Sequence, residues 1–397
     1  MIDSINKLTD TNQGGEDNLD MELKVFDFSH YPLPKKDKDC IQMFYNNING
    51  LEINEAIASI VNKKKIKKQK EITGDPETYT KLESFIKQMH TWEVDISVLS
   101  ESCIEWRDVI PRRVVTDISK KYDTGGTWTV STSSCYSGSF VKPGGALVYS
   151  SGNLSGKIME RGTDPWKHGR WSYVRYQGKK GNSLMIIGGY RVGCRSNVAG
   201  ASTAWYQQKV LLTEANRTEE PDEAFLTDFA SWYEEIIQPQ TEVLLFLDAN
   251  EQWTTLSKIR QWAKKLQLAN LNIDGGYHFP ATYPCITNHS RDTTINYCLC
   301  TPGVLDSIAY ATMAPFDLHT LGDHRGLLID VQVSRLLQSL AEPREISVGR
   351  KLATNNPVAT EKYLLGVEKG FLKQNIFERT RKLYYQWTHK KRRSGIL

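Results

Sequence analysis

The tripeptide Gly322-Asp323-His324 lies between two strand-like stretches, the second being Leu327-Leu328-Ile329-Asp330-Val331. An adjacent carboxylate and imidazole in a strand-flanking turn can serve one phosphate, the acid toward a metal and the ring toward a phosphoryl oxygen. Asn47, Glu101 and Asp248 likewise each follow a short apolar run. Glu101 and Asp323 are hard oxygen donors suited to Mg²⁺ or Mn²⁺, and Asn47 adds a neutral carbonyl to that metal set. Asp248 is placed to orient or deprotonate an attacking water. Asn250, two residues on, falls on the same side of an extended chain, where its amide can donate to a phosphate oxygen. A protonated His324 would stabilise the pentacovalent phosphorane. Each residue also has a plainer role. An Asp after a strand commonly caps a turn or helix, Asn47-Ile48-Asn49-Gly50 makes a turn, and a lone histidine is often a hydrogen-bonded structural residue. The set, in order along the chain, carries the expectation of metal-assisted phosphoester chemistry.

Elements that end together must bring these residues together. Residues 41–45, 96–99, 127–132, 146–149, 243–247, 295–300 and 326–331 read as strands. Residues 173–176 and 184–187 read as a hairpin across Gly178-Lys179-Lys180-Gly181. Leu82, Phe85, Ile86 and Met89 recur at helical spacing after the cap-like Asp75-Pro76-Glu77, and residues 204–212, 225–237 and 256–268 also read as helices. Strands and helices interleave without a repeat, the pattern of an α/β fold whose strand ends meet at one crevice. Residues 1–38 are polar and pattern-poor and read as disordered, residues 39–337 as the catalytic domain, and residues 338–397 as a basic, partly helical extension.

The chain of 397 residues is 40% hydrophobic and 24% charged, within the globular range. No apolar run approaches the roughly 18 residues of a membrane span, and residues 1–20 hold no signal-like apolar core, so no membrane partner is expected. The formal charge of +4 hides an asymmetry. Six lysines fall between Lys63 and Lys70, and seven cationic residues between Arg379 and Arg393; without those thirteen the remainder carries −9. An acidic body suits a metal site, and basic segments suit a phosphate backbone, DNA or alternatively RNA, though each run also reads as solvated surface. The seven cysteines are scattered without a CxxC pair, which argues against a zinc site. Reduced thiols and an intracellular location, nuclear or cytoplasmic, are the expectation. Cys298 and Cys300 alternate in a strand-like run and should point the same way, as buried thiols. Oligomeric state is not encoded in any recognisable feature.

Six fragments, in order, resemble motifs of the endonuclease/exonuclease/phosphatase superfamily. Asn47-Ile48-Asn49-Gly50-Leu51 resembles the first motif, and Leu99-Ser100-Glu101-Ser102 the one that supplies a metal-binding Glu. Gly189-Tyr190-Arg191-Val192 resembles the segment with an active-site Tyr, and Leu247-Asp248-Ala249-Asn250 the Gly-Asp-Phe-Asn motif. Thr294-Ile295-Asn296-Tyr297 resembles Arg-Ile-Asp-Tyr, and Gly322-Asp323-His324 resembles Ser-Asp-His. The resemblance spans about residues 40–335. It implies a four-layered α/β sandwich of the DNase I-like type, two packed mixed β-sheets flanked by helices. It also implies a Mg²⁺-dependent (or Mn²⁺-dependent) nuclease leaving 3′-hydroxyl and 5′-phosphate ends. Glu101, Asn47 and Asp323 would hold the metal. Asp248 would activate water, Asn250, Tyr190 and Arg191 would contact the substrate, and His324 with Asn296 would complete the catalytic set. Residues 166–171, Tyr190-Arg191-Val192, Gln207-Gln208, Asp248–Glu251 and the basic tail look most like endonuclease domains of retrotransposon-type elements. Trp106, Trp171, Trp205 and Trp253 are candidates for stacking on bases or for core packing.

The chain departs from the pattern at Asn296, where the family has an Asp that pairs with the histidine. An Asn can hold the ring but brings no negative charge, so the imidazolium is less favoured and the tautomer less fixed. A weakened nuclease, one compensated by Asp292, and a degenerate module that binds nucleic acid without cutting all follow from this change. So does an engineered inactivation. A lipid or small-molecule phosphodiesterase on the same fold is a further, weaker alternative.

Overall fold

The computed structural model describes residues 36–53, 81–135, 141–193, 200, 202–277, 279–282, 293–314, 322, 324–340 and 357–383. Two six-stranded sheets carry the first unit. One runs in the order β11-β12-β1-β2-β4-β3 and the other β5-β6-β7-β8-β10-β9. The first holds β1 (Cys40–Asn47), β2 (Ile96–Ser100), β3 (Thr127–Ser131), β4 (Ala146–Ser150), β11 (Ile308–Met313) and β12 (Leu327–Gln332). The second holds β5 (Ile158–Thr163), β6 (Trp171–Gln177), β7 (Ser183–Tyr190), β8 (Thr241–Asp248), β9 (Ala269–Asn270) and β10 (Asn296–Cys300). Each sheet has one parallel pair at its centre, β1 with β2 and β7 with β8. The sheets are therefore mixed.

Alternation along the strands builds three apolar layers. Met43 and Tyr45 of β1 and Val98 of β2 face Ile186, Leu244 and Phe246 of the second sheet, with Cys298 and Cys300 buried in the same layer. The expected pair of buried thiols is therefore where the alternation put it. Tyr45 and Phe246 stack across the sheets with centroids 5.3 Å apart. Gly188 lets β7 lie against β2, because a Cβ there would come within 2.6 Å of Val98 Cγ1. On the outer face of the first sheet, Phe44, Leu99 and Leu147 pack under α1 (Lys81–Thr91) and α2 (Val109–Tyr122). Outside the second sheet, Met185, Val243 and Leu245 pack under α4 (Pro221–Ile236) and α5 (Lys258–Lys265). A third helix, α3 (Ala204–Glu214), precedes them in the chain. Helix, sheet, sheet, helix is the four-layered α/β sandwich that the sequence implied.

Besides the two-residue β9 and several short helical turns, one long helix and two edge strands were not legible. Pro111 and the β-branched run of α2 hide a helix whose proline sits in the first turn, where its missing N–H is harmless. The half-exposed edge strands β5 and β11 lack a clean alternation. The chain forms two compact units, residues 1–344 and 345–397. The second contains α6 (Pro357–Lys373), with Leu364, Leu365 and Leu372 exposed. The expected cap at Asp75-Pro76-Glu77, the lysine run 63–70 and residues 384–397 lie outside the described residues. Among those described, no helix is long and apolar enough to cross a membrane.

Candidate active site

The two parallel pairs end at the same place. In the first sheet Asn47 pairs in register with Ser100, so the chain leaves β1 and β2 side by side. In the second sheet Tyr190 pairs with Asp248, and Asn296 of β10 lies opposite Asp248 on its other flank. After β1 the backbone zips onto the segment after β2: the Ile48, Gly50 and Leu51 amides donate to the Ser100, Glu101 and Ser102 carbonyls. Both segments carry non-glycine residues in the left-handed region, Asn49 at φ 44° and Glu101 at φ 53°, with Asn250 at φ 50° beyond β8. Strained backbone of this sort, costing about 1–3 kcal/mol per residue, gathers where side chains must be aimed.

One amide joins the sheets. Asn47 Nδ2 donates to Glu101 Oε2 at 2.8 Å and to Asp248 Oδ2 at 2.6 Å. Its carbonyl, read from the sequence as a metal donor, is turned instead to the Asn49 N–H at 3.0 Å. Asn47 is thus a donor that joins two acids. Asp248, 1% exposed, also accepts the Asn250 backbone N–H at 3.2 Å. Tyr190 is buried and its hydroxyl donates to Glu101. Burial, then the charges of Glu101 and Asp248, push its pKa well above the usual phenol value, so it remains a donor. Asn250 Nδ2 donates to the Arg191 carbonyl at 2.9 Å, which uses one of its two hydrogens.

His324 Nδ1 lies 3.1 Å from Asn296 Oδ1. Thr282 Oγ1 accepts the Ile295 and Asn296 N–H groups, and its carbonyl accepts the Arg325 N–H at 2.8 Å, tying the two loops that carry the pair. Gly322 lies so close to the backbone at Asn47 and Ile48 that no Cβ fits there, which seats the histidine turn against the end of β1. Asp323 and Asp292 lie outside the described residues.

Arg191 departs from the substrate contact expected of it. It is 1% exposed, and its guanidinium pairs with Asp222 at 3.1 Å and Glu251 at 2.9 Å while donating to the Ala249 carbonyl at 2.8 Å. Its work is to brace the turn after β8. Of the tryptophans, Trp106 and Trp171 are buried in the packing, whereas Trp205 and Trp253 are half-buried.

Sequence reasoning missed Ser100, whose hydroxyl donates across the sheets to the Gly189 carbonyl at 3.0 Å. It also missed Asp222, Thr282 and a buried ion pair behind the Glu101 segment. There Glu105 meets Arg107 at 2.8 Å and Lys142 at 3.4 Å. Burial alone would raise the Glu105 carboxyl, but the bonds from Arg107 and the charge of Lys142 outweigh it and hold it below its ordinary value. Lys142 shifts toward neutrality, because burial dominates at its longer contact. The shorter Arg107 bond makes the Glu105 direction the one that governs the pair. Serine, threonine and scattered charges are too common to have signalled these roles.

Among the described residues no group of three acidic, histidine or cysteine side chains forms a metal centre. The donors present nonetheless fit a hard divalent cation. Two carboxylates, the buried Asp248 and the half-buried Glu101, share one amide nitrogen, a like-charge juxtaposition that such a cation relieves.

No protein-family model matches the sequence, and no curated protein matches it. Solved structures do. An AP endonuclease from Archaeoglobus fulgidus is 12% identical with a TM-score of 0.45, over 74% of this chain and 100% of its own. An endonuclease/exonuclease/phosphatase family protein from Leptotrichia buccalis is also 12% identical at 0.45, over 73% and 99%. One from Bacteroides vulgatus is 10% identical at 0.45, over 74% and 98%. These likenesses are weak, and the fold assignment rests on the two sheets themselves. The chain carries the four-layered DNase I-like sandwich, with its polar strand ends gathered at one edge.

Proposed function

We propose that this chain is a metal-dependent phosphodiester hydrolase that nicks DNA, of the retroelement endonuclease type. The observation that carries the reading is the bridge from Asn47 to Glu101 and Asp248, one residue set drawn from both sheets, with His324 paired to Asn296 on the strand beside β8. Glu101, with Asp323, would hold Mg²⁺ or Mn²⁺, which when bound polarises the phosphate and offsets developing charge. Asn47 fixes the spacing of Glu101 and Asp248. Asp248 orients the attacking water and takes its proton. Tyr190 keeps Glu101 in place through its hydroxyl, the second hydrogen of Asn250 Nδ2 is available to a phosphate oxygen, and His324 faces the charge that builds in the transition state. The order of the six motifs and the basic runs support DNA as substrate and the retroelement type.

The rival is a module that binds nucleic acid without cutting, and it draws on Asn296 standing beside His324. Asp248→Ala separates the two. On the hydrolase reading, cleavage falls at least a hundredfold while salt-dependent DNA binding persists. Binding with no product from the unaltered protein, in Mg²⁺ or Mn²⁺, would favour the rival.

A further inference from the structure

The loop from β5 to β6, Asp164 to Arg170, is tied down along its length. Asp164, its side chain fully buried, accepts the Trp166 N–H at 3.0 Å and the His168 N–H at 3.1 Å, and pairs with the Arg170 guanidinium at 2.7 Å. Arg170, equally buried, also pairs with Asp228 at 2.7 Å. Buried charges are costly unless they are paired and hydrogen-bonded, as these are. The Lys167 N–H donates to the Asp164 carbonyl at 3.0 Å, and its carbonyl accepts the Ser134 N–H at 2.7 Å. Gly169, at φ 79°, lies so close to the Ser133 backbone that no Cβ fits there.

This frame carries two exposed side chains, Trp166 and Lys167. Trp166 is 37% exposed, and no other tryptophan among the described residues is exposed. Its ring is held in place. The Arg170 guanidinium lies over it, 5.5 Å from the centroid, and Trp171 meets it edge-on at 6.1 Å. Trp171 is packed in turn against Phe225 and Phe229. A ring so held loses little freedom on binding, which favours its use as a contact. The loop also opens at the edge where the acids gather. The Tyr190 N–H donates to the Arg170 carbonyl at 2.8 Å, and Tyr190 pairs in register with Asp248. Arg170 is therefore two strand spacings, about 10 Å, from Asp248 along that edge.

We propose that Trp166 is a stacking platform for an unpaired base of the nucleic-acid strand whose phosphate lies at the acids. Every base has a π-face, so such a stack is tolerant of sequence. A base inside a duplex has both faces covered by its neighbours, so the ring selects for a strand that is locally open. Lys167, next in the chain, adds a positive charge beside the same strand. The proposal rests on nucleic acid being the substrate, and it holds for a hydrolase and for a binding module alike. The plainer role of Trp166, a cover over Arg170, needs only apolar bulk.

The test is binding of a short labelled single strand of DNA by the full chain, at fixed salt and without divalent metal, compared with Trp166→Phe and Trp166→Leu. Phe keeps an aromatic face, and Leu keeps only the bulk. Trp166→Leu should weaken binding about tenfold and Trp166→Phe about threefold or less, the difference being the stack. On a closed duplex of the same sequence both variants should lose less than about twofold. Equal affinities of the two variants for the single strand, or an equal loss on duplex, overturn the proposal. Should Trp166→Leu not fold, ultraviolet cross-linking of the unaltered protein to an iodouracil-substituted strand decides: a cross-link at Trp166 supports the proposal, and cross-links only elsewhere overturn it. An unaltered protein that binds neither DNA overturns the nucleic-acid reading and this proposal with it, whereas binding indifferent to Trp166 overturns the stack alone.

Discussion

Asn47 donates to two carboxylates at once, and this single amide couples the two sheets at the place where chemistry is proposed. The residue was legible as a candidate because a polar side chain directly after an apolar run must lie at a strand end. Its role was not, since a sequence cannot say which end of an amide faces the acids. Arg191 makes the same point. It stood in a motif and invited a substrate contact, but its burial among Asp222, Glu251 and the Ala249 carbonyl makes it a brace. Arg191→Met should therefore lower stability by about 3–5 kcal/mol in urea unfolding, because the buried Asp222 loses its counter-charge. A loss under about 1 kcal/mol with a selective fall in DNA affinity would return Arg191 to the substrate.

At the level of elements, function depends on where strands stop. The central strands were readable because burial on both faces makes them continuous apolar runs, and helices α4 and α5 because one face repeats at helical spacing. The edge strands β5 and β11 have no such pressure, so nothing in their residues announces them. The approach of loops to strand ends is set by missing atoms, which sequence shows only as a glycine. Gly322 is the case in point, since its lack of a Cβ lets the histidine turn sit on Asn47 and Ile48. Gly322→Ala should push that turn outward and lower the cleavage rate roughly a hundredfold, the usual effect of a displacement near 1 Å. The melting temperature should move by only a few degrees. Cleavage kinetics beside a melting curve would check this, and full activity in Gly322→Ala would mean that the close approach is not used.

For the whole molecule, the sandwich was legible from the order of six short motifs, each weak alone, whereas the partition into units was visible only as a change in composition. On the proposed reading the acidic body would hold the cation and the basic runs the phosphate backbone. That division, and the departure at Asn296, make activity the decisive observable. The measurement to make is nicking of supercoiled plasmid in Mg²⁺ and in Mn²⁺, comparing the unaltered protein with Glu101→Ala and Asn296→Asp. The hydrolase reading predicts nicking by the unaltered protein, none above background by Glu101→Ala, and a faster rate for Asn296→Asp, which places a carboxylate beside His324. Absence of nicking by all three, or nicking that survives Glu101→Ala, would contradict it.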